Sequence, residues 1–175
     1  MPARAAGSDA AYPDFVEQVF LSKEAALKSA FPACSAVGET IHVLSKEKKT
    51  RIEGRLGWTL DASSITVYGC SNAIESQGQA VIAEEIGKFK PITFMVKVGA
   101  GGEVEKVEVM TYREPVGAEV KRTRFTRQFR GKSASSPLRI NRDILNVTGA
   151  TMSVQAMTAG VKKSLIILDE INHGK

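Results

Sequence analysis

The sequence predicts an α+β domain: a curved antiparallel sheet of about four or more strands, flanked by N-terminal helices and a long C-terminal helix. Two observations indicate this class. Residues 64–112 contain β-branched segments separated by Gly, Pro, Asn and Lys, as in strands joined by hairpins. The segments before and after them carry apolar residues at helical spacing. Helices, then a meander, then helices are the order of an α+β domain.

Two helices are predicted before the sheet. Apolar residues recur close to helical spacing between Pro13 and Pro32, which predicts a helix over about residues 14–31. The segment SKEKKTRIEGRLG predicts a second, more polar helix, with Ser45 as its N-cap and Gly57 near its end.

Four strands and two further helices follow. The predicted strands are SITVYGC, QAVIAEEIG, PITFMVKVG and GEVEKVEVMTY, and VGAGGEV is the clearest hairpin turn. VKRTRFTRQFRGK predicts a short basic helix, and KSASSPLRINRD an irregular connection. The last helix is predicted over about residues 151–168. One stripe of it carries Val154, Met157, Val161, Leu165 and Leu168.

The chain of 175 residues is long enough for one domain, predicted over residues 13–172 after a flexible segment 1–12. That segment has no apolar core of a secretory signal. It fits either the start of a cytosolic protein or what remains after a signal is removed. Cys34 and Cys70 are too few for a disulfide framework, and they either pair in an exported protein or stay free. His42 and His173 stand alone, so no metal site is predicted.

Positive charge is concentrated in residues 121–142, which contain no acid. The basic residues are Lys121, Arg122, Arg124, Arg127, Arg130, Lys132, Arg139 and Arg142. Such a run favours an anionic neighbour: a phosphate, nucleic acid, an acidic membrane face or an acidic protein. The alternative is a solvated basic face.

The segment NVTGATMS, residues 146–153, places two threonines around a Gly-Ala pair where the last helix begins. The first turn of a helix presents N–H groups without intrahelical partners, at the positive end of the helix dipole. Gly149 and Ala150 add little bulk, so a phosphate could approach the backbone and the Thr151 hydroxyl. The alternative is a plain helix start capped by Thr148.

Three ordered blocks of this sequence resemble the FMN-binding domain family found in the Rnf and Nqr electron-transport complexes. They are EEIGKFKPITFMVKVGAGGEVEKVEVM, YREPVGAEVKRTRFTRQFRGK, and TGATMS followed by AMTAGVKKSL. The resemblance covers roughly residues 80–168, with weaker similarity back to about residue 25, and small stand-alone members are the most similar.

The resemblance implies FMN as the cofactor, with its phosphate esterified to Thr151 by a dedicated flavin transferase. It implies a loop around the attachment point made by Thr148, Gly149, Ala150, Met152 and Ser153. It also implies Glu114, Gly117, Gln128 and Lys132 near the flavin or its phosphate.

The sequence departs from the family pattern ahead of this loop. The transferase usually requires an aspartate three residues before the first hydroxyl, and this chain has Leu145 there, with Asp143 two residues further upstream. Asp143 could substitute, or the flavin could bind without a covalent bond. The family also tends to have a Thr between Glu114 and Pro115.

The resulting prediction is an FMN-carrying electron-transfer protein without catalytic residues of its own. Its implied partners are redox proteins, membrane-bound ones included, and the flavin transferase, with no nucleic acid. The implied location is the periplasm or another extracytoplasmic space. One alternative is a reductase with non-covalent FMN, although no G-x-G-x-x-G follows a strand. Another is a polyanion-binding module that uses residues 121–142.

Overall fold

The computed structural model describes residues 16–71 and 76–174, and it confirms the α+β class. Its sheet has six strands, all antiparallel, in the order β1-β6-β5-β4-β3-β2. The strands are β1 (Gln18–Val19), β2 (Val37–Val43), β3 (Ser64–Cys70), β4 (Gln79–Ile86), β5 (Pro91–Val98) and β6 (Val104–Tyr112). The α-helices are α1 (Lys23–Ala30), α2 (Lys46–Leu56), α3 (Thr123–Thr126) and α4 (Thr151–His173). The predicted flexible segment 1–12 lies outside the described residues.

The first predicted helix, residues 14–31, is wrong over its first half. Residues 14 and 15 lie outside the described residues, and helix α1 begins only at Lys23. The Ser22 hydroxyl accepts a hydrogen bond from the Ala25 N–H at 3.2 Å, which caps the helix there. Gln18 and Val19 instead form edge strand β1 against β6, and the Phe20 N–H continues this pairing with a 2.8 Å hydrogen bond to the Met110 carbonyl. Val19 and Phe20 are residue types that favour an extended backbone.

The second helix is confirmed as α2, from its cap at Ser45 to Gly57, which adopts a left-handed conformation with φ +82°. Strand β2 was not predicted. Its sequence VGETIHV is half polar, and Ile41 and Val43 point outwards with 66% and 77% exposure. An edge strand with a solvated face shows little of the pattern that marks a buried strand.

The four predicted strands are confirmed as β3 to β6, and VGAGGEV forms the hairpin between β5 and β6. The basic segment is more broken than the single short helix predicted for it. The four residues of α3 lie between two 3-10 turns, Ala118–Lys121 and Arg127–Phe129. Phe125 and Phe129 anchor this segment by packing edge to face in the core, with ring centroids 5.5 Å apart.

Helix α4 covers one face of the sheet, and α1 covers the other. The predicted stripe of α4 is buried against β4, β5 and β6, and its other buried side packs on α2. A disulfide joins Cys34 to Cys70 beneath α1. No helix in the described ranges is both long and apolar enough to cross a bilayer. The layers leave the start of α4 at the surface, beside the loop that follows β6.

Candidate functional site

Helix α4 begins without a capping side chain. Its N-cap is Ala150, which has no side-chain oxygen, and its first turn contains no acid. The alternative of a plain start capped by Thr148 is therefore wrong. The first intrahelical bond of this turn runs from the Val154 N–H to the Ala150 carbonyl at 2.9 Å. The N–H groups ahead of it are positioned to meet an anion.

Thr151 is the first residue of α4, and its side chain is exposed. Its hydroxyl oxygen accepts a hydrogen bond from the Asn146 side-chain amide at 3.3 Å. Gly149 turns the chain into the helix with φ +78°, a conformation that favours glycine. The hydroxyl is thus held at the surface by a short, tightly turned loop.

A cleft of about 560 Å³ lies beside this hydroxyl, and we call it the α4 cleft. Three partly exposed apolar side chains, Phe89, Val116 and Met152, give it apolar walls. The full lining is Lys88, Phe89, Glu114, Pro115, Val116, Gly117, Gly149, Ala150, Thr151, Met152 and Ser153. Seven of the ten predicted site residues are therefore brought together around one cleft.

Glu114 supplies a buried carboxylate to the α4 cleft, with 4% of the residue exposed. Its Oε1 accepts hydrogen bonds from the backbone N–H groups of Phe89 and Lys90, at 2.6 and 2.9 Å. Its Oε2 is buried and has no hydrogen-bond partner within the described part of the chain. A buried carboxylate oxygen without a donor is costly, so this atom fits a ligand that brings an N–H or O–H group.

Gly117 and Ser153 serve the architecture of the cleft. A Cβ on Gly117 would lie 2.6 Å from the Tyr112 hydroxyl and 2.9 Å from the Ser153 hydroxyl. The Tyr112 hydroxyl donates to the Val116 carbonyl and receives the Ser153 hydroxyl at 2.7 Å. Burial raises the pKa of Tyr112 above its ordinary value, so it remains a donor at neutral pH. This pair fixes the loop after β6 to the first turn of α4.

A second cleft, of about 580 Å³, lies on the other side of the loop, and we call it the arginine cleft. It is lined by Glu119, Arg122, Arg124, Phe125, Arg127, Gln128, Leu145, Asn146, Val147 and Thr148. Along the chain, the lining of the arginine cleft ends at Thr148 and that of the α4 cleft resumes at Gly149. Of the predicted site residues, Gln128 and Thr148 line this cleft.

Gln128 holds the segment that leads into the loop. Its side-chain amide accepts from the Leu145 N–H at 2.7 Å and donates to the Leu145 carbonyl at 3.4 Å. The Leu145 side chain points outwards and is 65% exposed. Both polar atoms of the Gln128 amide therefore bond to the backbone of Leu145, which occupies the position of the family's aspartate.

Asp143 is engaged within its own turn. Its carboxylate accepts from the Arg139 backbone N–H at 2.7 Å and from the Arg139 guanidinium at 3.1 Å. These two bonds lower the pKa of Asp143, and the charge of Lys132 adds to the effect. Lys132 itself lines neither cleft. Its backbone carbonyl accepts a hydrogen bond from the Val104 N–H, and its N–H donates to the Phe129 carbonyl.

Tyr112, Asn146 and Phe89 belong to the site and were not predicted from the sequence. Tyr112 ends a strand and looks like a core aromatic, although its hydroxyl ties two loops together. Asn146 lies two residues before the threonine pair, where an amide is a usual loop residue. Only folding brings Phe89, from the turn between β4 and β5, to the start of α4. No group of three or more potential metal ligands occurs in the described residues.

The comparisons with known proteins agree with this geometry. Residues 87–166 match the model of the FMN-binding domain, and this range contains every residue that lines the two clefts. The fold is similar to the crystal structure of NqrC from Shewanella oneidensis, with a TM-score of 0.57 and 13% identity over 83% of this chain and 88% of that chain. No curated protein matches the chain in sequence. Residues 87–166 are thus similar to the FMN-binding domain family, and this similarity supports FMN as the cofactor.

Proposed function

We propose that the protein is an FMN-carrying electron-transfer protein whose flavin is joined through its phosphate to the Oγ1 atom of Thr151. The observation that carries the proposal is the exposed Thr151 hydroxyl at the uncapped start of α4, directly beside an apolar cleft. The bond would be a phosphoester, formed with the net loss of one water from threonine and FMN.

The residues present fit the three chemical parts of FMN. The phosphate would meet the N–H groups of the first turn of α4, which no side chain caps. The ring system would pack on Phe89, Val116 and Met152 in the α4 cleft. The orphaned Oε2 of Glu114 would accept from a flavin N–H or a ribityl hydroxyl.

Flavin supplies the redox chemistry, and the protein supplies binding, orientation and charge. Among the described residues that line the α4 cleft, none is a histidine or cysteine that could take part in acyl or hydride transfer beside the flavin. Lys88 is the one cation that lines it, and positive charge beside a flavin favours its reduced, anionic form. A carrier that passes electrons between partner proteins needs no organic substrate site.

Intact mass tests the attachment. The protein is co-produced with a flavin transferase, and we expect a mass increase equal to FMN minus one water. Thr151→Ala should remove the whole increase, whereas Thr148→Ala, the matched threonine of the same loop, should retain it. An unmodified and colourless wild-type protein would contradict the proposal.

A second candidate is a protein that holds FMN without a covalent bond, as a reductase would. It is favoured by Leu145 at the position of the usual aspartate and by the engagement of Asp143 with Arg139. In that case the purified protein would be yellow at its unmodified mass and would oxidise NADH or NADPH. Leu145→Asp should then raise the flavinylated fraction, since it restores the missing acid.

We also propose that the protein works outside the cytoplasm with redox partner proteins, among them membrane-bound ones. The Cys34–Cys70 disulfide supports this location, because structural disulfides persist mainly in oxidising compartments. Acid quenching of producing cells, followed by alkylation and mass analysis, measures the state of the two thiols. Full alkylation of both cysteines in the native host would argue for the cytoplasm.

A further inference from the structure

We propose that the surface formed by Lys121, Arg122, Arg124, Arg127 and Arg130 is the docking site for an acidic electron-carrier protein. We call it the cationic surface. This inference rests on the proposed function, because it names the class of partner that would exchange electrons with the flavin.

The five side chains form one continuous surface next to the cofactor site. Arg122, Arg124 and Arg127 line the arginine cleft, whose wall includes Thr148. Lys121, Arg127 and Arg130 line a further depression of about 500 Å³ on the β6 side. Because Arg127 belongs to both, the five cations extend from the loop before α4 to the β6 side of the sheet. Three acids share these linings: Glu119 in the arginine cleft, and Glu105 and Glu108, which pair with Lys97 and Lys106.

These cations lack the partners that other cations of the protein have. Elsewhere, Arg51, Arg55 and Arg113 each pair with a carboxylate. None of the five has a carboxylate within 4.0 Å among residues 16–71 and 76–174, and all five are exposed. Lys121 lies over the Phe20 ring at 4.0 Å, which leaves its charge uncompensated. Five unpaired cations together attract an anionic surface and accelerate its approach.

The shape and chemistry of the surface favour an acidic protein over other polyanions. Four of the five cations are arginines, which bind carboxylates in a bidentate manner. Leu145 and Phe20, 65% and 37% exposed, add apolar contacts of the kind found in protein interfaces. Single-stranded nucleic acid would need free aromatic rings for base stacking. Phe125 and Phe129 are buried, and Lys121 lies over the ring of Phe20. A flat bilayer would not fill the two depressions.

Stopped-flow electron transfer tests the inference, with a reduced, strongly acidic [2Fe–2S] ferredoxin as the probe. One electron leaves the iron–sulfur cluster and is taken up by FMN on the flavinylated protein. The ferredoxin represents any acidic carrier, because steering depends on charge rather than on identity. We expect the second-order rate constant to fall about tenfold or more between low and high ionic strength.

Two charge-reversal variants with equal changes in net charge locate the effect. Arg122→Glu/Arg124→Glu should lower the rate at low salt about tenfold or more and flatten its salt dependence. Lys28→Glu/Lys46→Glu, which changes exposed lysines on α1 and α2, should stay within about twofold of the wild type. Equal effects of the two variants, or a wild-type rate without salt dependence, would overturn the inference.

Two further readouts separate this inference from its alternatives. Intact mass is measured on every variant, so a failure of flavinylation is distinguished from a failure of docking. Sedimentation with vesicles that contain phosphatidylglycerol tests a membrane role. Binding to vesicles that Arg122→Glu/Arg124→Glu abolishes, together with an unchanged ferredoxin rate, would assign the cationic surface to a membrane instead.

Discussion

The two ends of helix α4 are each associated with one buried glutamate, and the two glutamates are satisfied in opposite ways. Near the C-terminal end, Glu170 is 8% exposed, and both of its oxygens receive hydrogen bonds, at 2.9 Å from Arg51 and 3.1 Å from Arg55. Beside the N-terminal end, Glu114 is 4% exposed, and its Oε2 has no donor among the described residues.

The difference separates a structural region from a binding region. Folding alone satisfies Glu170, because the arginines come from α2, which packs on the same half of α4. Folding leaves the Oε2 atom of Glu114 without a donor from the described chain, and a ligand in the α4 cleft that donates to it offsets the cost of its burial. The N-termini of the two helices differ in the same way. The Ser45 side chain caps α2, whereas no side chain caps α4.

The largest effect in this comparison is expected on FMN affinity. Glu114→Gln, made in the Thr151→Ala background so that binding is reversible, should weaken FMN binding about ten- to hundredfold. The glutamine oxygen can still accept from Phe89 and Lys90, whereas the new amide cannot accept from the flavin. Fluorescence quenching during FMN titration measures the dissociation constant.

Glu119→Gln is the matched control, because Glu119 is a nearby but exposed carboxylate outside the α4 cleft. It should leave FMN affinity unchanged. Glu114→Gln should also not lower the free energy of unfolding of the FMN-free protein, because it removes a buried charge with an unpaired oxygen. Equal FMN affinities for the two variants would show that Glu114 does not face the flavin.

The sequence predicts the regions whose polar groups are hydrogen-bonded within the chain better than it predicts the cleft at the start of α4. Helix α2 could be placed from end to end, because Ser45 and Gly57 act through local backbone geometry. The stripe of α4 and four of the strands follow from hydrophobic periodicity. Strand β1 could not be placed, because its pairing with β6 is a contact between residues far apart in the sequence.

The candidate site shows the same limit. Residue order and family resemblance indicate Thr151 and its loop, which form a contiguous segment. The positions of Gln128 and Lys132 could not be predicted, because the backbone turns of residues 127–147 direct them. Gln128 binds the backbone of Leu145, and Lys132 lies apart from the clefts. The sequence also does not show that Oε2 of Glu114 lacks a donor, because this depends on the positions of the backbone N–H groups of Phe89 and Lys90 in the folded chain.

At the satisfied end of α4, Glu170→Gln should lower the free energy of unfolding at pH 7 by about 1.5–3 kcal/mol. Burial alone would raise the pKa of Glu170, but the hydrogen bonds and charges of Arg51 and Arg55 outweigh burial, and the net pKa lies below its ordinary 4.5. The stabilisation is therefore present above about pH 4.5 and is lost as pH falls through the lower folded-state value.

Urea unfolding at pH 7 and at pH 3 measures this dependence. The difference between wild type and Glu170→Gln should shrink as the pH falls. FMN affinity should not change, because Glu170 lies far from the α4 cleft along the helix. A difference of constant size at both pH values would mean that the ion pairs with Arg51 and Arg55 do not stabilise the fold.

The smallest effect is expected at the start of α2, where the cap comes from the chain itself. Ser45→Ala removes the hydroxyl that accepts from the Lys48 N–H at 3.2 Å, so it should lower the free energy of unfolding by about 1 kcal/mol. Thr148→Ala near the start of α4 should cost less, because Thr148 is exposed and does not cap that helix. Thermal unfolding of both variants in the FMN-free state measures the two costs. If Thr148→Ala costs as much as Ser45→Ala, then the start of α4 is held by Thr148, and its N–H groups are not reserved for a phosphate.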